Sequence, residues 1–247
     1  MKALRRTLCF AGRCAKEIVR DPLTLFFGLA FPLVLLGLLS LIQANIPVTL
    51  FAIERLAPGV AVFGLSFITL FSALLIARDR STALLMRLFS TPLGAGGFLA
   101  GYLLPLLPMA AAQGAIVYAA ALLLGLQWSV HVLAALAAGL IPALLYIALG
   151  LLFGTVLNDK QVGGVCGALL TNLSAWLSGI WFDISLLGNG FGKVCRALPF
   201  YHAVEGCRGA LAGDPGAWAH LAVVLCWAAG LFALAVWCVA RKMRRGE

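Results

Sequence analysis

The sequence predicts an all-α membrane protein with six transmembrane helices, and three observations carry that prediction. Of 247 residues, 63% are hydrophobic and 11% charged, whereas soluble domains average about 25% charged. The mean hydropathy is +1.04. A core able to hide so much apolar surface from water would need a far larger chain, because the buried fraction rises slowly with size. The basic residues, finally, gather at the ends of the apolar runs, where lipid-spanning helices place them. A single transmembrane domain over 1–247 accounts for the chain.

Each element follows in order. A basic lead-in precedes the apolar run from Pro22 to Ile42. That run is too long for the roughly 7–15-residue apolar region of a secretory signal, so it reads as an uncleaved first span. A span needs about 20 apolar residues, and six segments qualify, near 23–43, 58–78, 97–124, 130–157, 162–182 and 219–240. Between Arg87 and Asp159 there is no acidic or basic residue. Such a stretch must turn once, and Gly125-Leu126-Gln127-Trp128-Ser129, followed by His131, is the natural hairpin, with Trp128 at the interface.

Charge fixes the topology. With both termini cytoplasmic, the inner segments hold Lys2, Arg5, Arg6, Arg13, Lys16, Arg20, Arg78, Arg80, Arg87, Lys160, Arg241, Lys242, Arg244 and Arg245. The outer segments hold Arg55, Lys193, Arg196 and Arg208. Fourteen against four is a clear positive-inside bias. The chain is therefore expected to be multi-pass in a bacterial cytoplasmic (inner) membrane.

Three segments do not span. Over 4–20, Leu4, Leu8, Ala11, Ala15, Ile18 and Val19 share one stripe at about 100° per residue, while Arg5, Arg13, Lys16 and Arg20 lie opposite. This predicts an amphipathic helix in the membrane surface, the alternative being a disordered basic tail. From Asp79 to Ser90, Leu84, Leu85, Leu88 and Phe89 oppose Asp79, Arg80, Arg87 and Ser90. The pattern predicts a short cytoplasmic amphipathic helix, with Thr91-Pro92 offering an N-cap and a proline at the first position of the next helix. A solvated charged loop is the alternative. The outer segment from Asp183 to Pro215 is broken by Gly188, Gly190 and Gly192. Its stretches 194–198 and 203–211 are expected as short or re-entrant helices packed on protein, since irregular backbone cannot face lipid.

Composition also excludes functions. Basic residues at span ends do not form the continuous soluble face that binds nucleic acid. The seven cysteines show no CxxC and no His/Cys cluster, so no metal ligand set is expected. There is no GxxxxGK[ST] and no soluble stretch able to hold an ATPase. The spans carry essentially no charge, which disfavours a proton path. Six spans also suit a rhomboid-type intramembrane protease, but Gly64-Leu65-Ser66-Phe67 lacks the last glycine of a Gly-x-Ser-Gly context. The three histidines, His131, His202 and His220, fall near helix ends. No catalytic residue is assigned. A channel or an assembly factor remains the alternative from another class.

Several stretches resemble one family. Arg87-Leu88-Phe89-Ser90-Thr91-Pro92-Leu93, followed by Phe98-Leu99-Ala100-Gly101, is similar to the "RL..TPL" stretch and "L.GK" opening of the ABC-2 type permeases, the transmembrane subunits of drug, nodulation-factor and polysaccharide exporters. Lys16-Glu17 to Arg20-Asp21-Pro22 looks like that family's exit from its elbow helix. Asn172 to Ile180, then Pro199 to Arg208, resembles its fifth-helix ending and the outer helix before the sixth. Two departures stand out. Tyr102 takes a position where the family often has lysine, and Asp79-Arg80-Ser81-Thr82-Ala83 replaces an acidic-then-glycine step.

The resemblance implies a permease subunit coupled to a separate ABC ATPase subunit, which would hold ATP and Mg, and a second permease subunit as a homo- or heterodimer. No cofactor is expected on this chain. The helix around Arg78–Ser90 would be the coupling helix, with Arg78, Asp79, Arg80, Arg87, Ser90, Thr91 and Pro92 as its ATPase-facing residues. The helix carrying Arg5, Arg13, Lys16, Glu17 and Arg20 would lie beside it as a lever. Asn172, with Thr171 and Ser178, is the candidate lining of a translocation path. The scarcity of polar side chains there suits an amphiphilic, lipid-like or drug-like cargo. Glu205 and Arg208, three apart, are candidates for an outer gate or a simple surface pair. Cys195 and Cys207 both fall outside and are available for a disulfide in an oxidising compartment. Gly97xxxGly101 and Gly150xxxGly154 are candidate close-crossing motifs.

Overall fold

The computed structural model describes residues 2–47, 51–81, 94–182, 184 and 188–245. Helices built from these residues are α1 (Lys2–Arg20), α2 (Pro22–Asn45), α3 (Ile53–Ser81), α4 (Ala95–Leu123), α5 (Val130–Val156), α6 (159–177), α7 (Gly188–Ala197), α8 (Pro199–Ala212) and α9 (Ala217–Arg245). No strand occurs among the described residues.

Among the described residues five helices, α2, α3, α4, α5 and α9, are long and apolar enough to cross a membrane. The sixth expected span is not among them by that measure. The run α6 coincides with the expected span 162–182 but is shorter and more polar, opening on Asp159-Lys160-Gln161 and containing Asn172. Its middle, Gly163–Leu170, is π-helical.

The break between α1 and α2 is chemical. Asp21 is extended, and its carboxylate accepts from the backbone N–H groups of Leu23 at 3.1 Å and Thr24 at 3.4 Å. Pro22 occupies the first helical turn, where its missing N–H costs nothing. At the other turns the sequence also governs. Gly125 closes α4 at φ 108°, and Gly213 closes α8 at φ 75°, conformations that side chains with a Cβ resist. Two helices, α7 and α8, lie in the segment where short helices were expected, but α7 runs through Gly188, Gly190 and Gly192, which were expected to break it, and α8 packs on α3, α5 and α9.

The bundle is built around α3. In its most apolar stretch 78% is buried, against 22% for α2 and for α9, so α2 and α9 form the outside and present faces to lipid or to a partner. The closest crossing is α3 on α5. A Cβ on Gly150 would strike Ser72 Oγ and the Thr69 carbonyl, and one on Gly154 would sit 2.6 Å from the Ala73 carbonyl. Thr69 Oγ1 donates to the Tyr146 carbonyl at 2.8 Å across the same seam. In lipid, where apolar contact between helices gains little over apolar contact with acyl chains, close backbone approach and interhelical hydrogen bonds hold the pair. Helix α5 is interrupted at Gly139, one turn before Pro142, whose ring displaces a helical hydrogen bond.

The surface helix differs from its expected face. Buried positions are Thr7, Phe10, Ala11, Cys14 and Ile18, whereas Leu4, Leu8 and Val19 are exposed. The apolar arc is wide enough to serve two media. One half enters the bundle, where Phe10 stacks on Phe98 and meets Tyr102 edge-on, and the other half is left for lipid. Gly101 makes the first half fit, because a Cβ there would overlap the Phe10 ring. Cys195 and Cys207 are separate buried thiols.

Gly150→Ala should lower the thermal midpoint in detergent, at a cost of about 1–3 kcal/mol for overpacking. Gly37→Ala, on an α2 position with nothing within 4 Å of its Cβ, should be neutral or stabilising by about 0.5–1 kcal/mol through helix propensity. Equal effects of the two variants would contradict the close α3–α5 crossing.

Candidate functional site at the inner end of the third helix

The last turn of α3 carries Arg78, Asp79 and Arg80, and each side chain leaves in a different direction. Asp79 is 3% exposed. Its carboxylate accepts from both terminal nitrogens of Arg13, at 2.6 and 2.8 Å, and from the Tyr102 hydroxyl at 2.7 Å. A bidentate guanidinium–carboxylate pair is both strong and geometrically selective. It joins α1, α3 and α4 at one point. Arg13 also reaches Glu17 at 3.0 Å. The hydrogen bond to Asp79 is the main reason the Arg13 pKa lies above its ordinary value, against the opposing effect of burial. Burial raises the Glu17 carboxyl, with Arg13 acting against it.

Arg80 turns the other way. It donates to the carbonyls of Gly154 at 3.1 Å and Thr155 at 2.5 Å, and Lys242 from α9 donates to the Thr155 carbonyl at 2.6 Å. These carbonyls belong to the last turn of α5, whose acceptors have no partner within the helix and whose dipole attracts cations. Two cations from two helices thus cap a third. Arg78 is exposed and lies 3.6 Å from Asp21 at the α1–α2 elbow. Helices α1 to α5 and α9 are therefore tied directly or through one neighbour to a single turn of α3, while α6, which also begins at this end, packs on α3 through Val162 and Cys166 against Ala73 and Ala77.

Of the residues expected to face an ATPase, only Arg78 is presented outward among the described ones. Asp79 and Arg80 are turned into the chain, because a carboxylate and a guanidinium at the end of a lipid-bounded bundle find their partners on neighbouring helices. Arg87, Ser90, Thr91 and Pro92, and the helix expected over 79–90 beyond Ser81, lie outside the described residues. On α1, Lys16 and Arg20 are exposed as expected, along with Arg5, but Arg13 is taken by Asp79. The signal for that was the position of Arg13 at the edge of the polar arc, next to the buried face.

The candidate path residues separate. Ser178 and Thr171 are buried and bond their own helix, to the Ala175 carbonyl at 3.1 Å and the Cys166 carbonyl at 3.0 Å. Asn172 is on an exposed face with Leu169, Leu173 and Trp176, its amide donating to the Ala168 carbonyl at 2.8 Å. At the outer end, Glu205 and Arg208 form the expected pair at 2.9 Å. Arg208 goes further, donating to the carbonyls of Gly179 and Arg55, each at 3.2 Å, so that it ties α8 to the start of α3 and the end of α6. It borders an outer cavity of about 540 Å³ lined also by Glu54, Trp128, Glu205 and Asp214. His202 and His220, expected only as interfacial residues, face each other with Nδ1 atoms 2.7 Å apart. Among the described residues no group of three or more His, Cys, Asp or Glu is placed to hold a metal.

Truncating Arg13 would leave the Asp79 carboxylate buried without its cation. Arg13→Ala is expected to cost about 2–4 kcal/mol, less than the 3–5 kcal/mol of a fully buried pair because Arg13 keeps contact with solvent. The triple variant Arg13→Met, Asp79→Leu, Tyr102→Phe, which removes the carboxylate together with its Arg13 and Tyr102 donors, should recover most of that loss. Cys14 reports the same contact. It is fully buried, and burial pushes its thiol up to about 12, so at pH 7 a maleimide should label exposed Cys9 and spare Cys14 in wild type, and label both in Arg13→Ala. Unchanged Cys14 protection together with unchanged stability would show that the pair does not hold α1.

A comparison with curated proteins returned no match. A model of the family described as "ABC-2 type transporter" matches residues 7–212, an interval that runs from the buried face of α1 through the hub on α3 to the last turn of α8. The chain is a transmembrane transporter protein and belongs to the ABC-2 type transporter family.

Proposed function

We propose that the chain is the permease subunit of an ATP-driven exporter, and that the last turn of α3 is the point through which a separate ATPase subunit acts on the bundle. The observation that carries this is the convergence on Arg78, Asp79 and Arg80 of contacts from the surface helix, the elbow and the ends of α4, α5 and α9. The chain continues from this turn directly into 82–93, the segment whose sequence resembles the family's coupling stretch. A push on that segment is delivered to the base of α3, and through the Asp79 network to α1 and α4, as movement of packed elements rather than of a loop. ATP and Mg belong to the partner subunit in this reading.

The charge bias supports a cytoplasmic location for both termini and for this hub, in a bacterial inner membrane. With α6 as the sixth crossing, the chain has an even number of spans, as two cytoplasmic ends require. The buried hydroxyls of Ser66, Ser72, Thr155, Ser174 and Ser178 all bond carbonyls of their own helices, so they offer little to a polar cargo inside one chain. The exposed face of α6, with Asn172 among Leu169, Leu173 and Trp176, is a better lining when a second permease subunit faces it. Such a mostly apolar wall suits an amphiphilic, lipid-like or drug-like substrate.

The test is purification of the chain from its native host membrane in mild detergent, with ATP hydrolysis measured on wild type and on Arg87→Ala. A stoichiometric ATPase should accompany the chain, and the variant should retain assembly while losing at least about tenfold in substrate-stimulated hydrolysis. A folded chain with no associated ATPase would instead favour a channel or an assembly factor.

A further inference from the structure

The inner hub has a second feature that the coupling role does not use. Between α1 and the start of α2 lies a cleft of about 870 Å³ lined by Leu8, Gly12, Arg13, Lys16, Arg20 and Arg78, with Glu17 and Asp21 as its acidic members. Its charges are not evenly matched. Arg13 is bound to Asp79 and Glu17, and Arg78 lies against Asp21. Lys16 and Arg20, one helical turn apart and both exposed, make no ion pair among the described residues. Two like charges at that spacing destabilise a helix, and an anion between them would remove the repulsion.

What surrounds the cleft says which anion. The arc of α1 next to Lys16 and Arg20 holds exposed Leu4, Leu8 and Val19, and α2 begins with exposed Leu23 and Phe26. These side chains face away from the bundle, where acyl chains run. Gly12, exposed, lines the cleft between Leu8 and Lys16, with nothing within 4 Å of a Cβ built there. A cationic pocket that opens sideways onto an apolar, lipid-facing strip has the two-part chemistry of an anionic phospholipid, not of a soluble anion. The geometry points to a bound phospholipid: the cleft holds the phosphate headgroup of an inner-leaflet anionic lipid between Lys16 and Arg20, with its acyl chains along Leu8, Val19, Leu23 and Phe26. The assignment needs only that this end of the chain lies at a membrane surface, and it stands apart from the ATPase reading.

The experiment is native mass spectrometry of the full chain in detergent, titrated with phosphatidylglycerol or with phosphatidylcholine of the same acyl composition. One saturable phosphatidylglycerol adduct per chain is expected, with phosphatidylcholine at least about tenfold weaker. Each surface cation contributes roughly 1 kcal/mol toward an anionic lipid, so Lys16→Gln with Arg20→Gln should weaken the adduct by about tenfold or more. Gly12→Leu keeps every charge and fills part of the cleft, and its Cβ meets no neighbour, so it separates loss of the site from loss of the fold. It should also abolish the adduct without lowering the thermal midpoint, since leucine favours the helix over glycine. Equal binding of the two lipids, or an adduct indifferent to both variants, would overturn the proposal. Displacement by millimolar glycerol phosphate alone would assign the cleft to a soluble phosphate. Displacement by the copurified ATPase at stoichiometric amounts would assign it to protein docking.

Discussion

The joining of α1 and α4 to the last turn of α3 depends on one buried carboxylate. Asp79 has almost no contact with solvent, and a lone carboxylate in such a place is several kcal/mol too costly to stay charged. It is held by three hydrogen bonds from two other helices, two from Arg13 and one from Tyr102. This makes the docking of α1 obligatory rather than adhesive. In water, α1 would bury its apolar arc for the hydrophobic gain. Beside lipid that gain is small, because acyl chains satisfy Leu and Phe as well as protein does. Position therefore comes from polar complementarity and from shape, with Phe10 seated on Gly101 and the guanidinium clamped on Asp79.

The same reasoning explains which parts of the structure were legible in the sequence. Long apolar runs, the Asp21-Pro22 elbow, the hairpin at Gly125 and the short outer helices could all be located, because each rests on a local property of the chain. The outward stripe of α1 was located only in part. A helical wheel gives the angle of each residue but not the medium it faces, so Leu8 and Ile18 were placed on one stripe although Leu8 is exposed and Ile18 is buried. The π-helical stretch in α6 has no comparable local marker beyond its run of glycines. The break at Gly139 had one, since Pro142 removes a hydrogen bond donor a turn later.

The site was legible as a set of residues but not as a set of partners. Glu205 and Arg208 pair because they are three apart, which spacing reveals. That Arg208 also takes the carbonyls of Arg55 and Gly179 depends on residues 153 and 29 positions away in the chain. Asp79 and Arg80 read as the polar, ATPase-facing side of a short amphipathic helix, because composition cannot tell an exposed charge from one whose partner arrives from elsewhere. The departure at Tyr102 held the missing information. A phenol and a lysine both donate to a carboxylate, so a tyrosine where the family often has lysine is consistent with a buried acceptor nearby, and Asp79 is that acceptor.

A mechanical consequence follows from the two ends taken together. At the outer end the start of α3 is tied through the Arg55 carbonyl to Arg208, and at the inner end its last turn is tied to α1, α4, α5 and α9. Between them, α3 lies on α5 with Gly150 and Gly154 against its backbone and Thr69 bonded to the Tyr146 carbonyl. Interfaces packed so closely have no free volume in which to slide, and they resist continuous deformation. A force applied at the inner turn is then carried along α3 and α5 as a unit. Helix α2, loosely buried and facing outward, does not share that restraint, whereas α9 packs along α5 and is tied to its end by Lys242. The fold thus divides into a stiff centre joined to both polar hubs and a compliant periphery at α2, and it is the periphery that can yield when the centre moves.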